Sequence, residues 1–497
     1  MYISTRGGKE RFSAAAAIKV GIAPDGGLLV PEALPRIDDG FLAELVPLDY
    51  HHRATRVLQY FLDDYSLAEI EASVQAAYHE AKFDHPAVAP LVALADGIDV
   101  LELWHGPTSA FKDMALQMLP RLLSLALAKT GETAEIVILV ATSGDTGKAA
   151  LEGFRDVDQT RIIVFFPYQG VSEVQRLQMV TQEGGNVAVI AVRGNFDDTQ
   201  TGVKEIFNDK SFNARLQTRG YKLSSANSIN WGRLLPQIVY YFSAYADMVK
   251  KANIQLGQPV NFVVPTGNFG NILAGYYAKQ MGLPVNRLIC AANSNNVLTE
   301  FLRTGVYNRN RDFYKTMSPS MDILISSNLE RLLYHTCGGA ATKVAGWMSE
   351  LAESGRYQVD EACLRTIQST FWSDWASDDE TLDAIRSVYG QCRYLMDTHT
   401  AAGWKVCEKY RQATGDATPT VLLSTASPFK FNQSVFAAIA GHGVNSGKSE
   451  FAVLKELSRL TDWPVPPALA ALEGQATRHE TVCNKQEMAG IVDKLLG

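Results

Sequence analysis

The stretch HGPTSAFKDMALQ (105–117) carries a lysine where the local electrostatics oppose one. Thr108 or Ser109 is a natural N-cap for an apolar run from Ala110 to about Lys129, which reads as one largely buried helix. Lys112 then falls in its first turn, where free backbone N–H groups favour an acid such as Asp113 over an ammonium. That position, together with burial, lowers the pKa of an amine. A lysine tuned in this way can form a Schiff base with an aldehyde. Lys148 and Lys430 are rivals for the role; each is otherwise a surface lysine or an anion ligand, and the anion-ligand reading suits Lys148. His105 reads first as a hydrogen-bonded structural residue, with acid–base chemistry as the alternative.

Two further stretches suit anions. In GNFGN (267–271), Gly267 and Gly270 permit close backbone approach, and Asn268 and Asn271 add donors beside a helix start. The alternative is a tight strand-to-helix turn whose glycines serve conformation alone. In SGDTG (143–147), Ser143, Gly144 and Thr146 suit a carboxylate or phosphate, whereas Asp145 must share a proton or meet a cation. The alternative here is a capping loop. Neither TSGDTGKAA nor GHGVNSGKSE is a P-loop: Thr142 and His442 stand where the first glycine is required.

These stretches follow apolar strands. AEIVILVAT (134–142), RIIVFFP (161–167), NVAVIAV (186–192), VNFVVPT (260–266), RLICAAN (287–293) and TPTVLLST (418–425) alternate with helical segments. Continuous Val/Ile/Leu strands of this kind form parallel sheets covered on both faces, with ligands beyond their carboxyl ends. The first ninety or so residues read differently: DGGLLVP is a turn, and residues 47–83 form two helices. WSDWASDDE (372–380) reads as an exposed loop.

The 497 residues, 46% hydrophobic, can bury a large core divided among two or three domains. A net charge of −7 without a basic block argues against nucleic acid. Six cysteines without a CxxC pair suit reduced thiols better than disulfides or zinc. The start lacks a signal-peptide profile and no apolar run is long enough to span a bilayer, so the expectation is a cytoplasmic protein.

A Schiff-base lysine combined with a glycine–asparagine phosphate cup makes pyridoxal phosphate (PLP) the natural cofactor. HGPTSAFKDMALQ, TSGDTGKAA, GNFDD, SSANSINWGR, PTGNFGNILAGYYAK and STASPFKF, in that order, resemble the longer type of the threonine synthase family. The resemblance implies a fold-type-II PLP enzyme of the α/β class, with two doubly wound parallel-sheet domains and a mainly helical N-terminal region. The expected division is 1–92 for the N-terminal region, 93–133 with 231–497 for the large cofactor-binding domain, and 134–230 for the small domain.

By that resemblance Lys112 carries the cofactor, and Gly267, Asn268, Phe269, Gly270 and Asn271 cradle its phosphate. Thr425 meets the pyridine nitrogen, and Asp145 lies near the phenolic oxygen. Many relatives outside this branch carry Asn at the position of Asp145, which implies that Asp145 shares the ring proton. Ser143, Gly144 and Thr146 hold the substrate carboxylate; Asn195, Asn230 and Arg233 are candidates for its phosphate. Family members often read T-A-H-P-A-K-F where this chain has Ser427 and Phe429, altering the surroundings of Thr425. The implied reaction is that of a carbon–oxygen lyase making L-threonine and phosphate from O-phospho-L-homoserine and water, without a metal. The implied partner is that small molecule, not a nucleic acid or a membrane, and the implied state is a monomer or weak homodimer. Alternatives are a phospho-lyase releasing 2-oxobutyrate and a non-catalytic phosphate-binding protein.

Overall fold

The computed structural model describes residues 1–95, 97–142, 144–169, 171–441 and 447–497. Ser143 and His442, both named above, lie outside the described residues.

Two sheets organise the chain. The larger has six strands in the order Phe371–Trp375, Val285–Ala292, Val260–Pro265, Thr420–Ser424, Ile98–Glu102 and Leu91–Ala95. All its pairs are parallel except the edge strand Leu91–Ala95. The smaller has five parallel strands: Val482–Asn484, Val187–Arg193, Thr160–Pro167, Glu135–Ala141 and Tyr221–Ser224. Central strands such as Val260–Pro265 are buried along their whole length, which explains their unbroken apolar sequence. Among the described residues no helix is long and apolar enough to cross a membrane.

The N-terminal region contains four helices, Ala14–Val20, Asp39–Leu45, Tyr50–Leu58 and Leu67–Ala77. The DGGLLVP segment also supplies strand Leu29–Pro31, which pairs antiparallel with Tyr2–Ser4. Buried Trp231 anchors this region: its ring lies 5.3 Å from Tyr2 and 5.7 Å from Phe61.

Three sequence expectations are corrected. The run 110–129 is two helices, Lys112–Leu116 and Leu119–Lys129, the second opening on Pro120, which lacks an N–H to continue the first. Neither Thr108 nor Ser109 caps the first helix. Instead Asp113 accepts bonds from the Thr108 N–H at 2.8 Å and its hydroxyl at 2.7 Å. WSDWASDDE is not a loop: Phe371–Trp375 is the outer strand of the large sheet, and Ser377 with Glu380 forms the capping box of helix Asp378–Cys392. Finally, residues 231–497 do not all serve the large sheet. Val482–Asn484 pairs with Val187–Arg193, and Met488, Val492 and Leu496 pack on the small sheet's apolar face. A three-residue strand has no periodicity by which to detect it.

Candidate active site

The carboxyl ends of strands from both sheets open on one cavity of about 480 Å³. Lys112 lines it from the first turn after the Ala110–Phe111 corner, where the Phe111 N–H donates to the Thr425 carbonyl at 2.8 Å. Its Nζ donates to Ser320 Oγ at 3.3 Å and lies 3.8 Å from Asp145 Oδ2. Burial pushes the amine down to about 8; Asp145 opposes this, while Arg233 and Lys430 reinforce it. Burial is the largest cause of the low value.

Asp145 is buried at the start of helix Asp145–Phe154. Its Oδ1 lies 2.8 Å from Lys430 Nζ and accepts from Gln175 Nε2 at 3.0 Å; Oδ2 accepts from Ser320 Oγ at 3.1 Å. Burial alone would raise its pKa, but Lys430 and Lys112 outweigh that and hold the carboxyl well below the usual range. Asp145 thus meets a cation, and that cation is Lys430, which the sequence offered as a rival to Lys112, a surface lysine or an anion ligand. Lys148 is not a free anion ligand: it is tied to Glu152 and Gln182.

The glycine–asparagine loop joins strand Val260–Pro265 to helix Gly270–Met281. Gly267 is required by close approach, since a Cβ there would stand 2.5 Å from the Ser320 carbonyl oxygen. Phe269 turns the chain with φ 61°. Asn271 Oδ1 accepts from the Tyr240 and Tyr241 hydroxyls at 2.6 and 2.9 Å, which fixes the amide's orientation. Its Nδ2 is buried without a partner among the described residues. An unpartnered donor at the start of a twelve-residue helix suits an anion.

Thr425 also lines the cavity, whereas its neighbours are occupied. Ser424 Oγ accepts from Trp104 Nε1 and the Thr400 hydroxyl, and Ser427 Oγ accepts from the Phe429 N–H. In the SGDTG loop, Thr146 lines the cavity. Gly144 adopts φ 145°, and the Thr142 hydroxyl accepts from the N–H groups of Gly144 and Gly147 at 3.0 and 2.9 Å. That bonding wraps the loop and aims the helix start inward.

The three candidates for a substrate phosphate divide. Arg233 is buried, lines the cavity and has no carboxylate partner among the described residues; its one side-chain bond goes to the Ala226 carbonyl at 2.7 Å. Burial pushes its guanidinium down to about 10. Asn195 and Asn230 do not join it. Asn195 is exposed and caps helix Phe196–Asn208, accepting from the Asp198 N–H at 2.9 Å. Asn230 caps helix Trp231–Lys250 through the Gly232 N–H and donates to the Ile18 carbonyl. Both side chains engage backbone for the same reason: short polar residues at helix starts satisfy backbone first.

Sequence reasoning missed several lining residues. Phe196, Gln200 and Lys204 share one helix face at four-residue spacing, a signal that was available beside GNFDD. Arg309, Ser320 and His399 arrive from distant segments with no local signature. Ser320 is held by its N–H to His399 Nε2 at 3.1 Å, and His399 Nδ1 bonds Asp397 at 2.7 Å. His105 stays outside the cavity, clamped between Asp84 at 2.6 Å and Glu102 at 2.8 Å and stacked on Trp104. The structural reading of that histidine is the one its contacts support. Among the described residues no cluster could hold a metal ion, and the six cysteines are free thiols.

A largely buried amine, an unpaired amide donor at a helix start, a loop that only glycine fits and a hydroxyl on the cavity wall are together suited to pyridoxal phosphate. The fold and this site define an α/β PLP-dependent enzyme, and the family model described as "Pyridoxal-phosphate dependent enzyme" matches residues 95–368. Models described as "Threonine synthase N terminus" and "Threonine synthase, C-terminal" match residues 1–78 and 400–491. The threonine synthase of Pseudomonas aeruginosa is 44% identical over 443 residues, covering 88% of this chain and 90% of that protein. The structure of PLP-bound threonine synthase from Brucella melitensis superposes with a TM-score of 0.87 at 40% identity, covering 100% of this chain and 98% of the other. Yeast threonine synthase also gives 0.87, at 33% identity and the same coverage. The chain belongs to the threonine synthase family, a family of PLP-dependent lyases.

Proposed function

We propose that the protein converts O-phospho-L-homoserine and water to L-threonine and inorganic phosphate by γ-elimination and β-addition. The observation that carries this reading is a buried Lys112 facing one cavity that offers two separate anion sites, the Gly267–Asn271 loop and the unpaired Arg233. One site suits the phosphate of the cofactor and the other that of the substrate.

Lys112, the Gly267–Asn271 loop, Thr425 and Asp145 would hold the cofactor, the Thr425 hydroxyl as the hydrogen-bond partner of its ring nitrogen and Asp145 as the partner of its phenolic oxygen. When bound, pyridoxal phosphate supplies an electron sink for charge that develops at the substrate α-carbon. Gly144, Thr146 and the adjoining helix N-terminus take the substrate α-carboxylate; Ser143 belongs to the same loop. Arg233, with Lys204 and Arg309 on the cavity wall, receives the substrate phosphate. Lys112, as a neutral amine, removes the α-proton, and the β-proton leaves next. Arg233 stabilises phosphate as the γ-carbon–oxygen bond breaks. Lys112 then protonates the γ-carbon, water adds at the β-carbon and gives up a proton to the released phosphate, and the α-carbon regains a proton. Ser320 keeps the amine on one face of the substrate through these transfers.

The test is product analysis. The PLP-loaded protein given O-phospho-L-homoserine is expected to release threonine and phosphate in equal amounts. Homoserine would mark a phosphatase, and 2-oxobutyrate with ammonia a phospho-lyase; either as the main product refutes the proposal.

A further inference from the structure

Lys430 has no part in the roles assigned above, yet it is among the most enclosed ionised groups in the protein. Its ammonium is wholly buried, 2.8 Å from Asp145 Oδ1 and donating to the Thr108 carbonyl at 2.9 Å. It is carried by the turn Pro428–Phe431, which follows the strand Thr420–Ser424 after three residues that include Thr425. The other oxygen of Asp145 faces Lys112 at 3.8 Å. One buried carboxylate therefore stands between two ammonium groups, 2.8 Å from Lys430 and 3.8 Å from Lys112.

We propose that Lys430 is a positioning residue for Lys112: it holds Asp145 as an anion committed to Lys430, so that the Lys112 amine is free to shed its proton inside the cavity. Without that second cation, Asp145 would have Lys112 as its nearest partner. A close buried ion pair would then keep Lys112 protonated, a state useless for attack or for proton abstraction. The same turn supports both ends of the device, because Lys430 reaches the Thr108 carbonyl just before the helix that bears Lys112.

The charged groups around Lys112 are accounted for on every side. Asp113, on its own helix, is spent on Thr108. Arg233 and Lys430 disfavour its charge, Asp145 favours it, and Ser320 is a neutral acceptor. His399 bonds the Ser320 N–H. Asp322, on the segment of Ser320, is occupied by Asn293, Asn295 and Thr316, while Lys204 and Arg309 line the same cavity.

The proposal rests on Lys112 being the cofactor lysine, so the experiment reads the two claims separately. In the full-length chain freed of PLP, trace acetylation across pH, read peptide by peptide by mass spectrometry, gives the midpoint at which Lys112 becomes reactive. Wild type is expected near pH 8. In Lys430→Met the midpoint should rise by about one pH unit or more, which slows labelling at pH 8 severalfold. Lys430→Arg should stay near wild type, and Asp145→Asn should move the midpoint downward. Opposite signs from two neighbouring substitutions cannot come from general loosening. An unchanged midpoint in a folded Lys430→Met chain, or a Lys430→Arg chain behaving like it, overturns the proposal. Should Lys430→Met fail to fold, an Asp145→Asn midpoint at or above wild type overturns it instead. Borohydride reduction of the PLP-loaded chain should label Lys112, and a label on another lysine refutes the role of Lys112 whatever the midpoints do.

Discussion

Thr425 shows how much one hydroxyl can be asked to do. It is buried on the cavity wall, its carbonyl already holds the Phe111 N–H, and Ser424 and Ser427 on either side are engaged elsewhere. The altered neighbours Ser427 and Phe429 leave it facing the cavity, since Ser427 turns inward to cap its own short helix. Thr425→Val keeps the shape and removes the hydroxyl, so PLP affinity should fall by about 1–3 kcal/mol, the cost of one buried hydrogen-bond partner. A PLP titration of the two chains measures this. Equal affinity would exclude Thr425 as the partner of the ring nitrogen.

The chemistry at this scale was legible in the sequence where it depended on local pattern. Lys112 stood out, and so did the glycines of the Gly267–Asn271 loop, because a residue's own neighbours set those constraints. Asn195 and Asn230 cap helices and do not line the cavity, and sequence alone does not separate the two uses because a helix cap and a ligand site ask for the same residue types. Ser320, Arg309 and His399 were invisible because only tertiary folding brings them to the cavity.

At the scale of elements, the strand Ile98–Glu102 is fastened to the N-terminal region by a histidine latch. His105 bridges Asp84 and Glu102, and Glu102 also accepts from the Tyr394 hydroxyl at 2.9 Å. Burial lowers the imidazole pKa, but the two carboxylates outweigh it and push it up to about 9. Because the folded-state pKa lies above the unfolded value, the stabilisation is complete below about pH 6.5 and disappears as pH rises through 9. Its size is on the order of 2–3 kcal/mol, an upper figure because Asp84 is 45% exposed and screened. Urea unfolding of wild type and His105→Gln should therefore differ most near pH 6 and converge toward pH 10. A stability difference independent of pH would mean that the ring contributes by packing on Trp104 alone.

Elements with strong periodicity were readable, including the buried parallel strands and the helices of residues 47–83. The helix break at Pro120 and the strand Phe371–Trp375 were not, although Pro120 and the Ser377–Glu380 capping box supplied signals for both. Hydrophobic runs outweighed the punctuation within them.

Across the whole molecule, the chain begins the large sheet with Leu91–Ala95 and Ile98–Glu102, leaves the small sheet at residue 224, completes the large one, and returns to the small sheet with Val482–Asn484 and helix Met488–Leu496. Nothing in a three-residue strand announces that return, which is why the expected division assigned these residues to the large sheet. The return covers an edge strand and an apolar face. Removing residues 482–497 would expose the surface under Met488, Val492 and Leu496, each worth roughly 1.5–3 kcal/mol when fully buried. Hydrogen exchange should then show lost protection in Val187–Arg193 and Glu135–Ala141, with Val260–Pro265 unaffected. Equal loss in both sheets would mean that they unfold as one unit.

The account as a whole stands on one chemical claim, that Lys112 moves protons at two carbons while water enters at a third. Turnover of O-phospho-L-homoserine in deuterated, oxygen-18-labelled water tests it in a single mass-spectrometric and NMR measurement. The account predicts threonine with deuterium at the α-carbon and in the methyl group, and with the hydroxyl oxygen drawn from solvent. Threonine without solvent hydrogen at either carbon, or with the substrate's own oxygen retained, would contradict it.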